Sequence, residues 1–218
     1  MSKENTLTVE VYEKYAEKYI ENSRNKELED ISLAREKEKK LLDFFLKSFS
    51  NLPSNSKILE IGSGGGENAD LLKKSGFDII ASDASNLFVN EMKMKNLNAI
   101  RFNALNDDFI CDISGILCWR VFVHFTLEDA RKVLEKSYKA INNGGKMIFN
   151  AMNREYYKID SEWKDMSGTY HMGVERFYQY YKKDELDKII KNTGFHINQF
   201  FMEGGKEENK WLVYVIEK

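Results

Sequence analysis

Apolar residues along this chain come in two spacings, short continuous runs and longer stretches that repeat every three or four positions. The first run, Lys57-Ile58-Leu59-Glu60-Ile61, ends in a glycine-rich break at Gly62, Gly64, Gly65 and Gly66, and the amphipathic segment Asn68–Lys74 follows at once. That order predicts strand, tight turn and helix, with backbone free to approach a ligand closely where no Cβ intervenes. Asp78–Asp83 reads as a second strand ending in an acid, Ala99–Phe109 follows with room for a short third, and Asp112–Arg120 reads as a buried fourth with its exit. Thr126 is the expected N-cap of a helix over Leu127–Ile141, which Asn142-Asn143-Gly144-Gly145 ends before a fifth strand begins at Lys146. A last helix, Asp184–Asn192, stops at Thr193-Gly194-Phe195, and strands over His196–Met202 and Trp211–Ile216 close the chain around Gly204-Gly205. Strands alternating with helices predict an α/β fold with a doubly wound, mostly parallel sheet.

At the amino end Val9, Tyr12, Tyr15, Ala16 and Tyr19 recur at helical spacing, and a charge-rich helix is expected from about Glu27 to Phe49. Between the fifth strand and the last helix, residues 152–182 hold Tyr156, Tyr157, Trp163, Tyr170, His171, Met172, Phe177, Tyr178, Tyr180 and Tyr181 with few aliphatic residues. A connection of that length is usually functional, and aromatic rings make rigid walls for a small-ligand pocket. At 218 residues the chain is expected to form one domain, with 1–50 as a helical addition and 152–182 as an insertion.

Which ligand the glycine turn takes follows from its spacing. A dinucleotide fingerprint needs a third glycine where Glu67 stands, and a carboxylate in the first turn of the next helix would repel a pyrophosphate. No Gly-Lys-Ser/Thr step follows, so the phosphate-binding loop of nucleotide hydrolases is absent as well. The run Glu60-x-Gly62-x-Gly64-x-Gly66 instead resembles the first motif of class I S-adenosylmethionine (SAM)-dependent methyltransferases, whose cofactor carries a sulfonium and no phosphate. Asp83 lies about twenty residues past the loop, where doubly wound folds put a carboxylate on the ribose hydroxyls; it also suits a helix N-cap before Ala84. The helix–Gly144-Gly145–strand step is similar to another family signature, with Asn143 in place of its usual proline.

The resemblance covers roughly residues 57–151, in family order. It implies a seven-stranded Rossmann-like sheet with an antiparallel last strand, and SAM as cofactor. It carries cofactor contacts to Glu60, Gly62, Ser63, Gly64, Asp83, Ala84, Cys118 and Trp119, and to Asn103 and Ala104 at the adenine edge. The family more often has Asp at Asn103, and a solvated loop is the competing reading there. Cys118, ending a buried strand, also reads as a small apolar residue. In related small-molecule enzymes an N-terminal helix closes over the cofactor, which makes Tyr12 and Tyr19 candidate lid residues and Arg24 a candidate carboxylate contact.

Composition removes several alternatives. Thirty-three Lys and Arg against 35 Asp and Glu give a net charge of −2 without a basic stripe, so nucleic acid is not the expected partner. No apolar run reaches membrane-spanning length and the first residues do not read as a signal peptide. Cys111 and Cys118 alone, without metal-site spacing, suit a reducing cytoplasm.

Displacement at a sulfonium carbon needs alignment above all, and a base only when the nucleophile is protonated. His124, just past the fourth strand, and His171, in the aromatic insertion, are the candidate bases; His196 begins a strand and is expected to be structural. The chain lacks the Asn/Asp-Pro-Pro-Tyr/Phe step of base-amine methylation and a catalytic Pro-Cys. A small hydroxylated or amine-bearing acceptor is therefore expected. An RNA-directed enzyme, a SAM-binding protein without turnover and a nicotinamide-dependent oxidoreductase are the alternatives. Acceptor identity and oligomeric state do not follow from the residues.

Overall fold

The structure is a computed structural model. It describes residues 2–29, 31–53, 55–165, 173–204 and 209–218, with side chains undescribed at 23–29, 31–35, 37 and 38. Two long helices, α1 (Lys3–Glu29) and α2 (Ile31–Phe49), precede the sheet. The alternating part follows as β1 (Lys57–Ile61), α3 (Glu67–Lys74), β2 (Asp78–Asp83), α4 (Asn86–Met94), β3 (Ala99–Arg101), β4 (Ile113–Cys118), α5 (Leu127–Ala140) and β5 (Ile141–Asn153). After it come α6 (Arg154–Tyr157), β6 (Ser161–Lys164), β7 (Arg176–Tyr181), α7 (Lys183–Thr193), β8 (His196–Glu203) and β9 (Trp211–Glu217).

Seven strands run in the order β3-β2-β1-β4-β5-β9-β8. β1 through β5 pair in parallel; β9 is antiparallel to both β5 and β8. This is the sheet expected from the sequence, with the terminal hairpin completing it. The insertion adds two strands that its aromatic composition did not announce. β6 and β7 form an antiparallel ladder, and β7 joins the far end of β5 through Met152↔Tyr180 and Asn153↔Tyr181. β5 is long because it serves β4 and β9 along most of its length and β7 beyond them.

The period-two alternation of buried strands separates two cores. Leu59, Ile116, Phe149 and Tyr214 face α5 and α7, where Val133, Leu134, Leu186 and Ile190 close one layer. Ile58, Leu117, Ile148 and Val213 face the other way, onto Phe45 and Phe49 of α2, Leu72 of α3 and Met92 of α4. Full burial of one such ring is worth roughly 2–3 kcal/mol, so α2 is held to the sheet by its own apolar stripe.

Helix ends follow local chemistry. Thr126 Oγ1 accepts from Asp129 N (3.2 Å) and starts α5 as expected. Gly194 ends α7 at φ +99°, against the Tyr138 ring. α5 stops at Ala140, one residue short of the expected Ile141, because the chain is already extended at Ile141; a Cβ at Gly145 would lie 2.7 Å from Ser114 O. Among the described residues no helix is long and apolar enough to cross a membrane.

Candidate functional site

The carboxyl ends of the parallel strands open on a cavity of about 950 Å³, at the upper end of the range for small-molecule sites. One end is the glycine loop between β1 and α3. Gly62 sits at φ +70°, and a Cβ there would lie 2.4 Å from Val121 Cγ2; Gly64 sits at φ +55°, where a Cβ would meet nothing within 4 Å. The first glycine is needed for packing, and the second leaves open space over the backbone. The loop is pinned from below: Ser63 N donates to Ser82 O (2.8 Å), Ser82 N to Ser63 Oγ (3.1 Å) and Ser82 Oγ to Glu60 O (2.6 Å).

Asp83, at the end of β2, accepts from Gly64 N (3.0 Å, Oδ2) and Ser85 N (2.9 Å, Oδ1). It therefore ties the loop to the next strand while its remaining lone pairs face the cavity it lines. Burial pushes its carboxyl up to about 6 against those backbone hydrogen bonds. The helix cap expected of Asp83 is made by Ser85, whose hydroxyl accepts from Phe88 N; Asp83 lies two residues too early for that geometry and holds the loop instead.

Gly62, Ser63, Gly64, Asp83, Ala84, Asn103, Ala104, Trp119, Tyr12, Tyr19 and His124 all line the cavity. Glu60 and Cys118 stand behind its wall. Cys118 is fully buried in the core, and burial pushes its thiol up. Glu60 is 1% exposed under the loop, where its Oε1 accepts from Asn68 Nδ2 (3.1 Å) and its Oε2 has no partner among the described residues. Burial pushes the Glu60 carboxyl up to about 7. Asn103 is buried in a tight turn, accepting from Leu105 N at Oδ1 (3.0 Å) and donating from its own N to Asp107 Oδ2 (2.7 Å), which excludes the solvated-loop reading. The Arg24 side chain and His171 fall outside the described residues, as do Tyr170 and Met172.

α1 lies across the opening. Its amino end is fixed by Asn5 Nδ2 donating to His124 O (3.4 Å) and by Phe177 N donating to Thr8 Oγ1 (3.1 Å). Further along, Glu13 Oε2 accepts from Asn86 N (2.7 Å) at the start of α4, and Tyr19 meets Phe88 edge-on at 5.6 Å. Between these anchors Tyr12 OH is 2.9 Å from His124 Nε2. His124 Nδ1 is 2.7 Å from Phe177 O. A carbonyl only accepts, so Nδ1 carries the proton in the neutral ring and Nε2 accepts from the Tyr12 hydroxyl. Arg176, 1% exposed, donates to the Tyr12 hydroxyl oxygen at 3.3 Å and to Asp165 Oδ1 at 3.4 Å. Burial, with the nearby Arg176 charge, holds His124 down at about 4, although its bond to Phe177 O works the other way. His196, as expected, is exposed at the start of β8 and lines nothing here.

The aromatic insertion, expected to wall the acceptor pocket, supplies no cavity-lining residue among those described from 152 to 182. Its rings pack on one another, Tyr157 on Tyr180 at 4.5 Å and Trp163 on Phe177 at 5.8 Å. Tyr181 OH donates to Phe122 O (2.8 Å), so the insertion braces the turn that carries His124. Sequence reasoning missed the far walls: Leu41 and Phe44 of α2, Asn150 of β5, and Phe201, Met202, Lys210 and Trp211 of the β8–β9 hairpin. A charge-rich helix was expected there, but nothing local said that its carboxyl half would reach the sheet edge.

The donor set suits SAM. An open glycine cradle, a carboxylate at the ribose position and Glu67 beside the loop fit a ligand with a sulfonium, an ammonium and no phosphate. Residues 32–199 match the methyltransferase domain family. No curated protein sequence matches the chain. Among solved structures, the magnesium protoporphyrin IX methyltransferase of Synechocystis PCC 6803 with bound SAM covers 100% of this chain and 98% of its own at 14% identity and TM-score 0.70. An S-adenosylmethionine-dependent methyltransferase from Clostridium acetobutylicum covers 89% and 98% at 16% identity and TM-score 0.69. A TehB-like SAM-dependent methyltransferase from Corynebacterium glutamicum covers 93% and 97% at 17% identity and TM-score 0.64. The family match spans most of the chain and the fold agrees over its length: the protein belongs to the methyltransferase domain family and is a SAM-dependent methyltransferase.

Proposed function

We propose that the protein methylates an oxygen or nitrogen atom of a small molecule held beside Trp119, with Tyr12 and His124 as the outlet for the acceptor's proton. The observation that carries this reading is the Tyr12 OH–His124 Nε2 hydrogen bond on the cavity wall. Bound SAM supplies an electrophilic methyl group, and its sulfur leaves as a neutral thioether. The chain's own residues do the rest. Gly62, Gly64, Asp83 and Ala104 would hold the cofactor, and Trp119 and Val121 would position the acceptor beside it. As the acceptor atom bonds to carbon it loses its proton to Tyr12 O, while the Tyr12 proton passes to His124 Nε2.

His124 is neutral at every pH above about 4, so its base form is present throughout the neutral range. The same depression makes it a weak base, suited to acceptors that give up a proton readily. Residues 1–50 act as the lid in this reading, because α1 must leave its anchors for ligands to exchange. A single domain in a reducing cytoplasm, with Cys111 and Cys118 as free thiols, belongs to the same proposal.

The test is release of S-adenosylhomocysteine (SAH) from SAM over a panel of aryl carboxylates, phenols and arylamines. Wild-type protein turns over at least one of these classes, and Tyr12→Phe and His124→Ala lose turnover while keeping SAH affinity. Turnover of structured RNA with no small molecule accepted, or variants as active as wild type, would contradict the proposal.

A further inference from the structure

Asn150 is a polar side chain in an otherwise apolar wall. It is 1% exposed, near the carboxyl end of β5, and it lines the cavity. Its Oδ1 accepts from Arg120 N at 2.6 Å. A backbone N–H can only donate, so this bond fixes which end of the amide is oxygen. Nδ2 is then committed to the other side, and among the described residues it donates to nothing. Arg120 is itself held at φ +61°, a conformation that costs a non-glycine residue about 1 kcal/mol or more. One amide thus holds the chain turn after β4 and presents a donor beside it.

The topology says which ligand meets that donor. The glycine loop leaves β1, Asp83 ends β2, and β4 lies between β1 and β5. Asn150 is one residue past Phe149, which pairs with Cys118, so it stands level with Trp119 on the side of β4 away from the cofactor loop. Its strand face is that of Ile148 and Val213, which pack with Trp119. The same compartment is walled by Phe44, 6.1 Å from the Trp119 ring and 5.2 Å from Phe201, and by Trp211.

We infer that Asn150 selects the acceptor: its amide N–H hydrogen-bonds an oxygen lone pair of a flat, apolar molecule lying between Phe44, Trp119, Phe201 and Trp211, so that an aryl carboxylate or phenolate is preferred over an arylamine. This rests on the proposed small-molecule function and narrows it. A protonated amine brings only donors to a position that already holds one, whereas a carboxylate oxygen completes the Asn150 amide. Arg120 and Lys210 line the same cavity and favour an anion, and Glu203 opposes them. A phenol delivers its proton to Tyr12 and His124, whereas a carboxylate arrives without one, so the loss of turnover expected of His124→Ala applies to phenol acceptors.

The experiment uses the full-length protein saturated with SAH and two probes, 4-fluorobenzoate and 4-fluorobenzylamine, followed by fluorine NMR titration. Wild-type protein is expected to bind the benzoate about tenfold more tightly or better, the scale of one charge-assisted hydrogen bond. Asn150→Asp keeps an acceptor for Arg120 N and removes the donor but adds a carboxylate, so it is read beside the neutral Asn150→Ala, which removes the donor without adding charge and leaves Arg120, Lys210 and Glu203 in place. Each should abolish or reverse the preference while SAH affinity stays within about twofold. Equal binding of the probes, a preference for the amine, or an Asn150→Asp or Asn150→Ala protein that keeps the wild-type preference overturns the role of Asn150. If both variants fail to bind SAH, the wild-type preference alone decides. Failure of wild-type protein to bind SAH would instead remove the cofactor reading beneath both proposals.

Discussion

The glycine loop and the compartment beside Trp119 share one cavity and are built in opposite ways. The loop is nine consecutive positions, Glu60–Asn68, closed by one distant carboxylate, and its working surface is backbone. The compartment gathers Tyr12 from α1, Phe44 from α2, His124 from the turn after β4, Asn150 from β5 and Trp211 from β9, and its working surface is side chains. A ligand that every relative shares can be held by backbone geometry, which tolerates change in the residues around it. An acceptor that varies between enzymes has to be read by side chains, and those can come from anywhere that reaches the sheet edge.

The sharpest way to separate the two regions is to remove chemistry from one and watch binding at the other. His124→Ala should lower kcat by roughly 10²–10⁴-fold and leave SAH affinity within about twofold, by single-turnover kinetics and calorimetry. A matched loss in both would merge the regions. Asp83→Ala should do the reverse, weakening SAM by about 1–3 kcal/mol through lost ribose and loop hydrogen bonds; unchanged affinity would remove the ribose assignment.

The glycines refine the loop itself. Gly62→Ala drives a methyl into Val121 at positive φ and should destabilise the fold by about 1–3 kcal/mol in urea unfolding. Gly64→Ala meets open space, so only the left-handed strain of about 1 kcal/mol falls on stability, and the larger loss should appear in SAM affinity. Equal unfolding midpoints for the two variants would show that the cradle is not divided this way.

A pH-dependent effect concerns Glu60. Burial raises its pKa in the folded state to about 7, above the ordinary 4.5 of the unfolded chain. Stability from this group is therefore complete below about 4.5 and is lost as pH climbs to about 7, where the unfolded state ionises freely and the folded state resists. Glu60→Gln removes that penalty. The ligand-free variant should be more stable than wild type by roughly 2–3 kcal/mol at pH 8, with the gap closing near pH 4.5. A gap independent of pH would place the charge elsewhere.

The same contrast explains what the sequence told. β1, the glycine turn, Asp83 and the helix–Gly144-Gly145 step were legible because each signal is local: a strand's apolar run, a positive φ, a cap. The doubly wound, mostly parallel sheet followed from alternating strands and helices. The acceptor walls were not legible, because Phe44 and Trp211 are 167 positions apart in sequence and meet only through the pairing of β9 with β5. The aromatic-rich stretch misled for a related reason. Tyr157, Tyr180 and Tyr181 bury their rings in a hairpin that braces His124, and composition alone does not distinguish a brace from a wall. Asn150 carried no signal, being one polar residue at the end of an apolar strand.

The division of the cavity is tested most directly by calorimetric titration of SAH into wild-type, Asp83→Ala and His124→Ala proteins under one set of conditions. The account predicts one site per chain, an affinity reduced about tenfold or more by Asp83→Ala, and no change with His124→Ala. Wild-type affinity in Asp83→Ala, or an equal loss in His124→Ala, would contradict a cavity split into cofactor and acceptor halves.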